Sequence, residues 1–446
     1  MTLKSPWVLL PMLLFMFLFI GSGLYYQASG VDYAFYQISA PVAILPAIIL
    51  ALLLAKGTIN QRVEQFIQGC SNPTIVTMLL IFLLAGGFAS VAKAIGGVEA
   101  VVNLSLDAIP PSFVLPGLFI MTAFMATAMG TSMGSIAAVA PIAVGVAEAS
   151  DLSMVLTIGA VMGGAMFGDN LSFISDTTIA ATRTQGCNMR DKFRLNFKIA
   201  VPAALLTIIW LFVQGDAAEV MVNPHSSSTK MLPYILVLGL AVSGMNVLVV
   251  LLTGIVVAGL IGLWQVPEYS IATWSGDIYN GYTNMQEILI LSLFIGGLGA
   301  MMKAGGGLDW LAAQLDRLTR QQSEPKAHRR MGEFSIAIGV ALVNVCTANN
   351  TVAILISGSL AKDIAIRYGV DPKRSASIMD ICACVIQGIL PYGAQMLLAA
   401  SLSGLSPLEL VTAVAYCWFL GLVMIVSIVL GMPSGQGSKA AKSTMP

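Results

Sequence analysis

The chain has 446 residues, of which 57% are apolar and 10% charged, and its formal net charge is zero. Soluble proteins carry roughly 25% charged residues, and an apolar excess this large cannot be hidden in globular cores. These figures exclude a soluble domain and give no electrostatic footprint for nucleic acid. They leave an all-α, polytopic helical membrane protein whose first partner is the lipid bilayer.

A span needs about 20 apolar residues to cross ~30 Å of hydrocarbon. Residues 7–26 qualify: only Lys4 precedes the run and no small-x-small cleavage site follows it, which favours a span over a cleaved leader. Residues 36–55 and 73–94 read as the next spans, with a polar segment at 56–72 suited to the interface. Residues 112–181 are apolar but interrupted twice, at Gly130-Thr131-Ser132-Met133-Gly134-Ser135 and at Gly168-Asp169-Asn170-Leu171-Ser172-Phe173-Ile174-Ser175-Asp176-Thr177-Thr178. Broken backbone at membrane depth is tolerated only where it lines a cavity or is buried in protein. Residues 183–198 carry Arg183, Arg190, Lys192, Arg194 and Lys198 against Asp191, a cytoplasmic loop by the positive-inside rule. Residues 196–213 form a span, and 215–230 a hydrophilic connection.

The second half begins near Met231. Residues 231–264 are too long for one span, with a tight turn expected at 244–246. Residues 266–285 are interfacial in character and 287–302 span. Residues 304–332 hold Arg317, Arg320, Lys326, Arg329 and Arg330 and read as cytoplasmic. Residues 333–403 are apolar with interruptions at 346–351 and 387–395. Residues 408–430 form the last span, and 433–446 a polar tail. The count is about 10–12 spans plus re-entrant or broken helices.

The halves resemble each other. Residues 86–99 align without a gap on 296–309, with six of fourteen positions identical and Glu99 opposite Asp309. Further on, Gly130 falls opposite Cys346, and Asp176 opposite Gln395. The link 95–111 has few charges whereas its partner 304–332 is arginine-rich, so the halves are expected to be inverted in the membrane. That gives a first repeat over 1–214, a connection over 215–230 and a second, inverted repeat over 231–432, the architecture of many secondary transporters. The cations Lys362, Arg367, Lys373 and Arg374 fit this scheme poorly.

Four polar breaks thus form two related pairs able to converge at mid-membrane. Thr131, Ser132, Ser135, Thr347, Asn349, Asn350 and Thr351 offer neutral oxygens for a dehydrated Na⁺ or a small polar solute, although such residues also satisfy one another at helix crossings. Asn170, Ser172, Ser175 and Thr177 add to the set, and Gln387 and Gln395, flanking Gly388, Pro391 and Gly393, could orient a substrate or an acid's proton. Asp169 and Asp176, seven residues apart and so on one face of a continuous helix, are the leading ion- or proton-binding candidates, with Asp380 third. Helix capping by Asp169 and structural pairing of Asp380 are the competing readings. A carboxylate in such a place holds a proton or a Na⁺ but not both, which is the simplest antiport chemistry. The six cysteines have no metal-ligand spacing and read as small core residues; His225 and His328 fall in polar connections. No cofactor is implied.

The stretch 168–178, followed by Ala180-Ala181-Thr182-Arg183, resembles the signature of the NhaC-type Na⁺/H⁺ antiporter family of the wider ion transporter superfamily. Phe173 departs from the proline common at that point, and Asn349-Asn350-Thr351 is similar to the superfamily's hairpin-tip motifs, whereas Ser132-Met133-Gly134 matches more loosely. The resemblance implies cation/proton exchange, with malate/lactate and amino-acid exchangers among family members. The expectation is therefore an inner-membrane Na⁺/H⁺ antiporter with a Na⁺ site near Asp176 and Asn349 and both termini cytoplasmic. The alternative is a Na⁺- or H⁺-coupled carrier of an organic anion or amino acid. A homodimer is an option by analogy, with the first two spans and 57–70 as its surface.

Overall fold

Hydrocarbon offers an unpaired backbone N–H or C=O no partner, so a spanning segment must satisfy these groups itself, and a helix does so. A computed structural model of the chain describes residues 6–29, 31, 37–98, 100, 110–150, 152–172, 175–215, 228–243, 245–307, 310, 314 and 328–432. The expected connection from 216 to 227, the arginines at 317 and 320, Lys326, the tail from 433, and Phe173 and Ile174 lie outside these residues. Among the described residues there are helices and no β-strand.

The first half contains α1 (Leu10–Ala28), α2 (Ala40–Ala43), α3 (Leu45–Leu54), α4 (Ile59–Cys70), α5 (Pro73–Ala94), α6 (Val114–Met129), α7 (Ser132–Glu148), α8 (Met154–Leu171), α9 (Asp176–Gln185) and α10 (Met189–Gln214). The second contains α11 (Leu232–Val242), α12 (Val247–Gln265), α13 (Ile271–Asn284), α14 (Gln286–Ala304), α15 (His328–Thr347), α16 (Asn350–Tyr368), α17 (Pro372–Ile389), α18 (Ala394–Ser403), α19 (Pro407–Ala413) and α20 (Ala415–Leu430). Eight helices among the described residues are long and apolar enough to cross a membrane, nine if the bent pair α19 and α20 is one span; shorter apolar helices make up the rest. The stretch 408–430, expected as one straight span, is bent by 52° between Ala413 and Ala415. A short helix and a full one do flank the turn expected at 244–246, of which Gly244 lies outside the described residues.

Helix boundaries recur between the halves at one constant separation. Pairing Ser132 with Asn350 also pairs Met154 with Pro372, Leu171 with Ile389, Asp176 with Ala394, Gln185 with Ser403 and Met189 with Pro407. Backbone angles agree: Thr131 before α7 has φ −146° and ψ 122°, and Asn349 before α16 has φ −146° and ψ 114°. This corrects the register read from sequence. Gly130 corresponds to Ala348 rather than Cys346, because both hold the left-handed turn, at φ 69° and φ 49°. Asp176 corresponds to Ala394 rather than Gln395, and Asp169 to Gln387.

The two halves also exchange their amphipathic helices. Thr58 caps α4 in a reciprocal box with Gln61, and α4 lies against α14 of the other half; α13 lies against α5 in the same manner. Glycine permits both contacts. A Cβ on Gly69 would meet the Gly296 carbonyl, and one on Gly281 the Gly86 carbonyl. The repeat-matched glycines Gly86 and Gly296 are therefore landing sites for the other half's helix. At the centre, α8 with α9 and α17 with α18 form the most enclosed spans.

Gly69→Ala and Gly281→Ala are each expected to cost about 1–3 kcal/mol through overpacking. Gly276→Ala on the open face of α13, where nothing lies within 4 Å, is expected to leave stability unchanged or slightly higher. Thermal unfolding of the detergent-purified variants measures the difference.

Candidate functional site

Each break leaves the first amides of the following helix without intrahelical acceptors, and in the enclosed centre those amides need partners. At the start of α7 the partner comes from another helix. Asp169, near the end of α8, accepts from the Ser132 backbone N–H at 3.2 Å and from the Ser132 hydroxyl at 2.6 Å. The Ser175 hydroxyl donates to the same carboxylate at 3.4 Å. Asp169 does cap a helix, but α7 rather than the α9 that follows it.

From Ser132 a hydrogen-bonded chain runs into the other half. The Gln395 amide donates to the Ser132 hydroxyl oxygen at 3.1 Å. Gln387 Nε2 donates to Gln395 Oε1 at 2.9 Å and to the Ala348 carbonyl at 3.1 Å. Ala348 is the non-glycine residue in the left-handed region at that tip, a strain of about 1–3 kcal/mol. At the start of α16, Asn349 Oδ1 accepts from the Val352 amide and Asn350 Oδ1 from the Thr351 amide.

These breaks surround a cavity of about 260 Å³. Of the residues singled out from sequence, Thr131, Ser132, Asp169, Ser175, Asp176, Thr177, Asn349, Asn350, Thr351, Gln387 and Gln395 line it. Asp176 and Asn349, expected to flank a Na⁺ site, thus face one space. Asp169 and Asp176 share it not as one face of a helix but because α8 ends before Asp176 begins α9. Asp176 is exposed to this space, and among the described residues its carboxylate has no hydrogen bond or ion pair. Among the described residues the lining includes no lysine, arginine or histidine.

Other candidates lie elsewhere. Ser135 donates to the Thr131 carbonyl and Thr347 to the Val343 carbonyl, the bland packing role for a membrane hydroxyl. Ser172 gives its carbonyl to Thr178. Asn170 is turned away, donating to the Met166 carbonyl at 3.1 Å. Asp380 is fully buried and does not line the cavity. It pairs with Lys192 at 2.7 Å and accepts from Asn196 at 2.8 Å.

Lys192 and Asn196 were not singled out in the sequence, where a run of cations read as a loop. Helix α10 in fact begins at Met189, and Lys192, Leu195, Asn196 and Ile199 form its buried face. The Lys192 ammonium donates to the Asn170 carbonyl at the end of α8 and to the Thr178 hydroxyl in α9. With Asp380 on α17 this makes three acceptors on three helices, so Lys192 braces the break between α8 and α9. Its apolar neighbours at helical spacing were the signal available. Arg374, equally misread as loop charge, is buried against Glu333 at 3.0 Å, and Lys373 faces Asp371. The charges that fitted the inverted scheme poorly are thus partly internal. Thr74 and Thr77 of α5 line the cavity too, and nothing in their spacing marked them.

Comparison with known proteins places these features in a family. The model of the Na⁺/H⁺ antiporter family matches residues 1–215 and 224–433. An uncharacterized Na⁺/H⁺ antiporter of Haemophilus influenzae is 24% identical, with 87% of this chain and 90% of that protein covered. The Na⁺/H⁺ antiporter NhaC of Bacillus subtilis is 23% identical, covering 84% and 86%. The arginine/ornithine antiporter ArcD of Halobacterium salinarum is 22% identical, covering 82% and 81%.

Removing Lys192 strands a buried anion, which typically costs about 3–5 kcal/mol. Lys192→Met is therefore expected to lower stability by that order, and the double variant Lys192→Met/Asp380→Leu to recover much of it. Denaturation of the purified variants distinguishes this brace from an independent role for Asp380.

Proposed function

This chain belongs to the Na⁺/H⁺ antiporter family, and from that premise we propose that it exchanges Na⁺ for H⁺ as a secondary active transporter, with Asp169 and Asp176 holding the two in turn. The observation that carries the reading is the cavity at the meeting of four helix breaks, with two carboxylates and no basic residue among its lining. Na⁺ and H⁺ are cargo, and no cofactor is called for. Asp176 has no described partner to give up, so it is the first contact for an entering cation. The amide and hydroxyl oxygens of Asn349, Thr131 and Thr177 supply neutral ligands. A proton on the same carboxylate removes the charge that attracts the cation, so occupancy by one excludes the other.

Asp169 has a second task. As an anion it accepts from Ser132 and Ser175. Protonation turns one of its oxygens into a donor, so its bond with the Ser132 hydroxyl must reverse or break. Its charge is thereby tied to the tip of α7 and, through Gln395 and Gln387, to the tip before α16. Asp380, held by Lys192, supports the site from behind rather than binding the ion.

The cavity volume favours a second cargo. About 260 Å³ is many times the ~30 Å³ of a water molecule, and more than a dehydrated cation needs. A small organic acid or amino acid, coupled to Na⁺ or H⁺, fits that space, and a relative bears the name of an arginine/ornithine antiporter. The proposed setting is the bacterial inner membrane with both termini cytoplasmic. A homodimer would use the exposed Ile59, Val63 and Ile67 of α4.

In reconstituted vesicles, a Na⁺ pulse is expected to move internal pH, and Asp176→Asn to abolish the response while the protein still elutes as a folded species. Competition for one carboxylate sets the sign of the pH dependence. Where protons and Na⁺ compete, the half-saturating Na⁺ concentration is expected to fall as pH rises, by up to about tenfold per unit. A pH-independent half-saturation, or wild-type exchange by Asp176→Asn, refutes the assignment.

A further inference from the structure

Three of the four helices that begin at the cavity have an anionic or amide oxygen at their amino ends. For α7 it is Asp169, for α16 the side chains of Asn349 and Asn350, and for α9 its own first residue, Asp176. The fourth, α18, has none. Its N-cap is Gly393, without a side chain, and its first residue is Ala394 where the other half has Asp176. Among the described residues, the first three amides of this ten-residue helix have no acceptor. Free amides at a helix start favour an anion.

A second observation points the same way. Asn350 lines the same cavity, and its buried Nδ2 has no acceptor among the described residues. The amide cannot be reversed to remove the vacancy, because Asn350 Oδ1 already accepts from Thr351. The opposite polarity is vacant as well. Gln387 Oε1 is buried without a donor, its orientation fixed because Nε2 donates twice. The cavity therefore offers unmatched donors at α18 and Asn350 and unmatched acceptors at Asp176 and Gln387.

We propose that the amino end of α18 and the Asn350 amide form a carboxylate-binding subsite, so that the cavity takes a small zwitterionic amino acid whose ammonium faces Asp176. This rests on the reading of Asp176 as the cation site. A simple organic anion would meet two aspartates with no lysine or arginine to offset them. A zwitterion brings its own positive charge and engages both sets of vacant groups. Pro73, Met78, Ile81 and Met133 give the cavity an apolar wall for its side chain.

The test follows saturable uptake of labelled glycine, L-alanine, L-serine, L-methionine and L-ornithine into vesicles carrying the whole protein. Ethylamine and propionate serve as competitors that carry one charge each. Uptake of at least one amino acid is expected, with both one-charge analogues competing at least tenfold more weakly. Ala394→Asp fills the subsite with an anion and is expected to weaken amino-acid uptake at least tenfold. Asn350→Leu gives an independent arm should Ala394→Asp fail to fold, and is expected to raise the half-saturating amino-acid concentration at least tenfold. No uptake of any of the five, propionate competing as well as an amino acid, or unchanged uptake in folded Ala394→Asp or Asn350→Leu overturns the subsite. The Na⁺-driven pH signal is recorded in the same wild-type vesicles. Its absence alongside amino-acid uptake overturns the exchange reading and leaves the subsite standing.

Discussion

A helix broken inside a membrane must find partners for its freed amides and carbonyls, and the centre of this protein follows from how it does so. Each unsatisfied group in hydrocarbon costs several kcal/mol, more than the ~1–3 kcal/mol of strain at a left-handed alanine. The strained turn at Ala348 is therefore tolerable as long as its carbonyl is held, and Gln387 holds it. The same logic brings Asp169 to the start of α7. Several of these partners are drawn from another break. Asp169, Ser132, Gln395, Gln387 and Ala348 form one linked series across both halves, so a shift at one tip cannot leave the others indifferent.

The halves repeat their backbone but not their chemistry. Where the first has Asp169, Asp176 and Ser132, the second has Gln387, Ala394 and Asn350. Glutamine is a neutral replacement for the acid: one methylene longer, it still bonds the tip of its own half, without a charge to attract a cation. The cavity thus has an anionic side from one half and a neutral, donor-rich side from the other. In the proposed function such a site would read charge with one half and shape or polarity with the other, while the matched backbone keeps the two in register.

How far this was legible in the sequence depended on what each residue contacts. The breaks at 130–135, 168–178, 346–351 and 387–395 were readable because glycine, proline and hydroxyls in apolar runs are local signals. The glycine pairs at 86–87 and 296–297 were readable as a repeat, though not as docking sites for α4 and α13, since that contact is between halves. The register of the tips was misread because identity between apolar segments is weak evidence. The left-handed turn that fixes it is taken by glycine in one half and alanine in the other. Lys192 was misread for a related reason. Loop charge and buried charge look alike in a sequence, and only the partner on α17, nearly two hundred residues away, tells them apart.

That partner also decides which acids are open to an ion. Asp380 already has an ammonium at 2.7 Å and an amide at 2.8 Å. An entering cation would have to displace Lys192, stranding a second charge in the interior at a cost of about 3–5 kcal/mol. Asp169 would give up neutral hydroxyl and amide donors, each worth about 1.5–3 kcal/mol to a charged group, but no second charge would be stranded. Asp176 has nothing described to give up. The ordering Asp176, then Asp169, then Asp380 follows from these partners rather than from depth in the membrane. In the exchange proposed above, the mobile charge sits at the first turn of α9, next to the break, where a small movement of either half changes what the carboxylate faces.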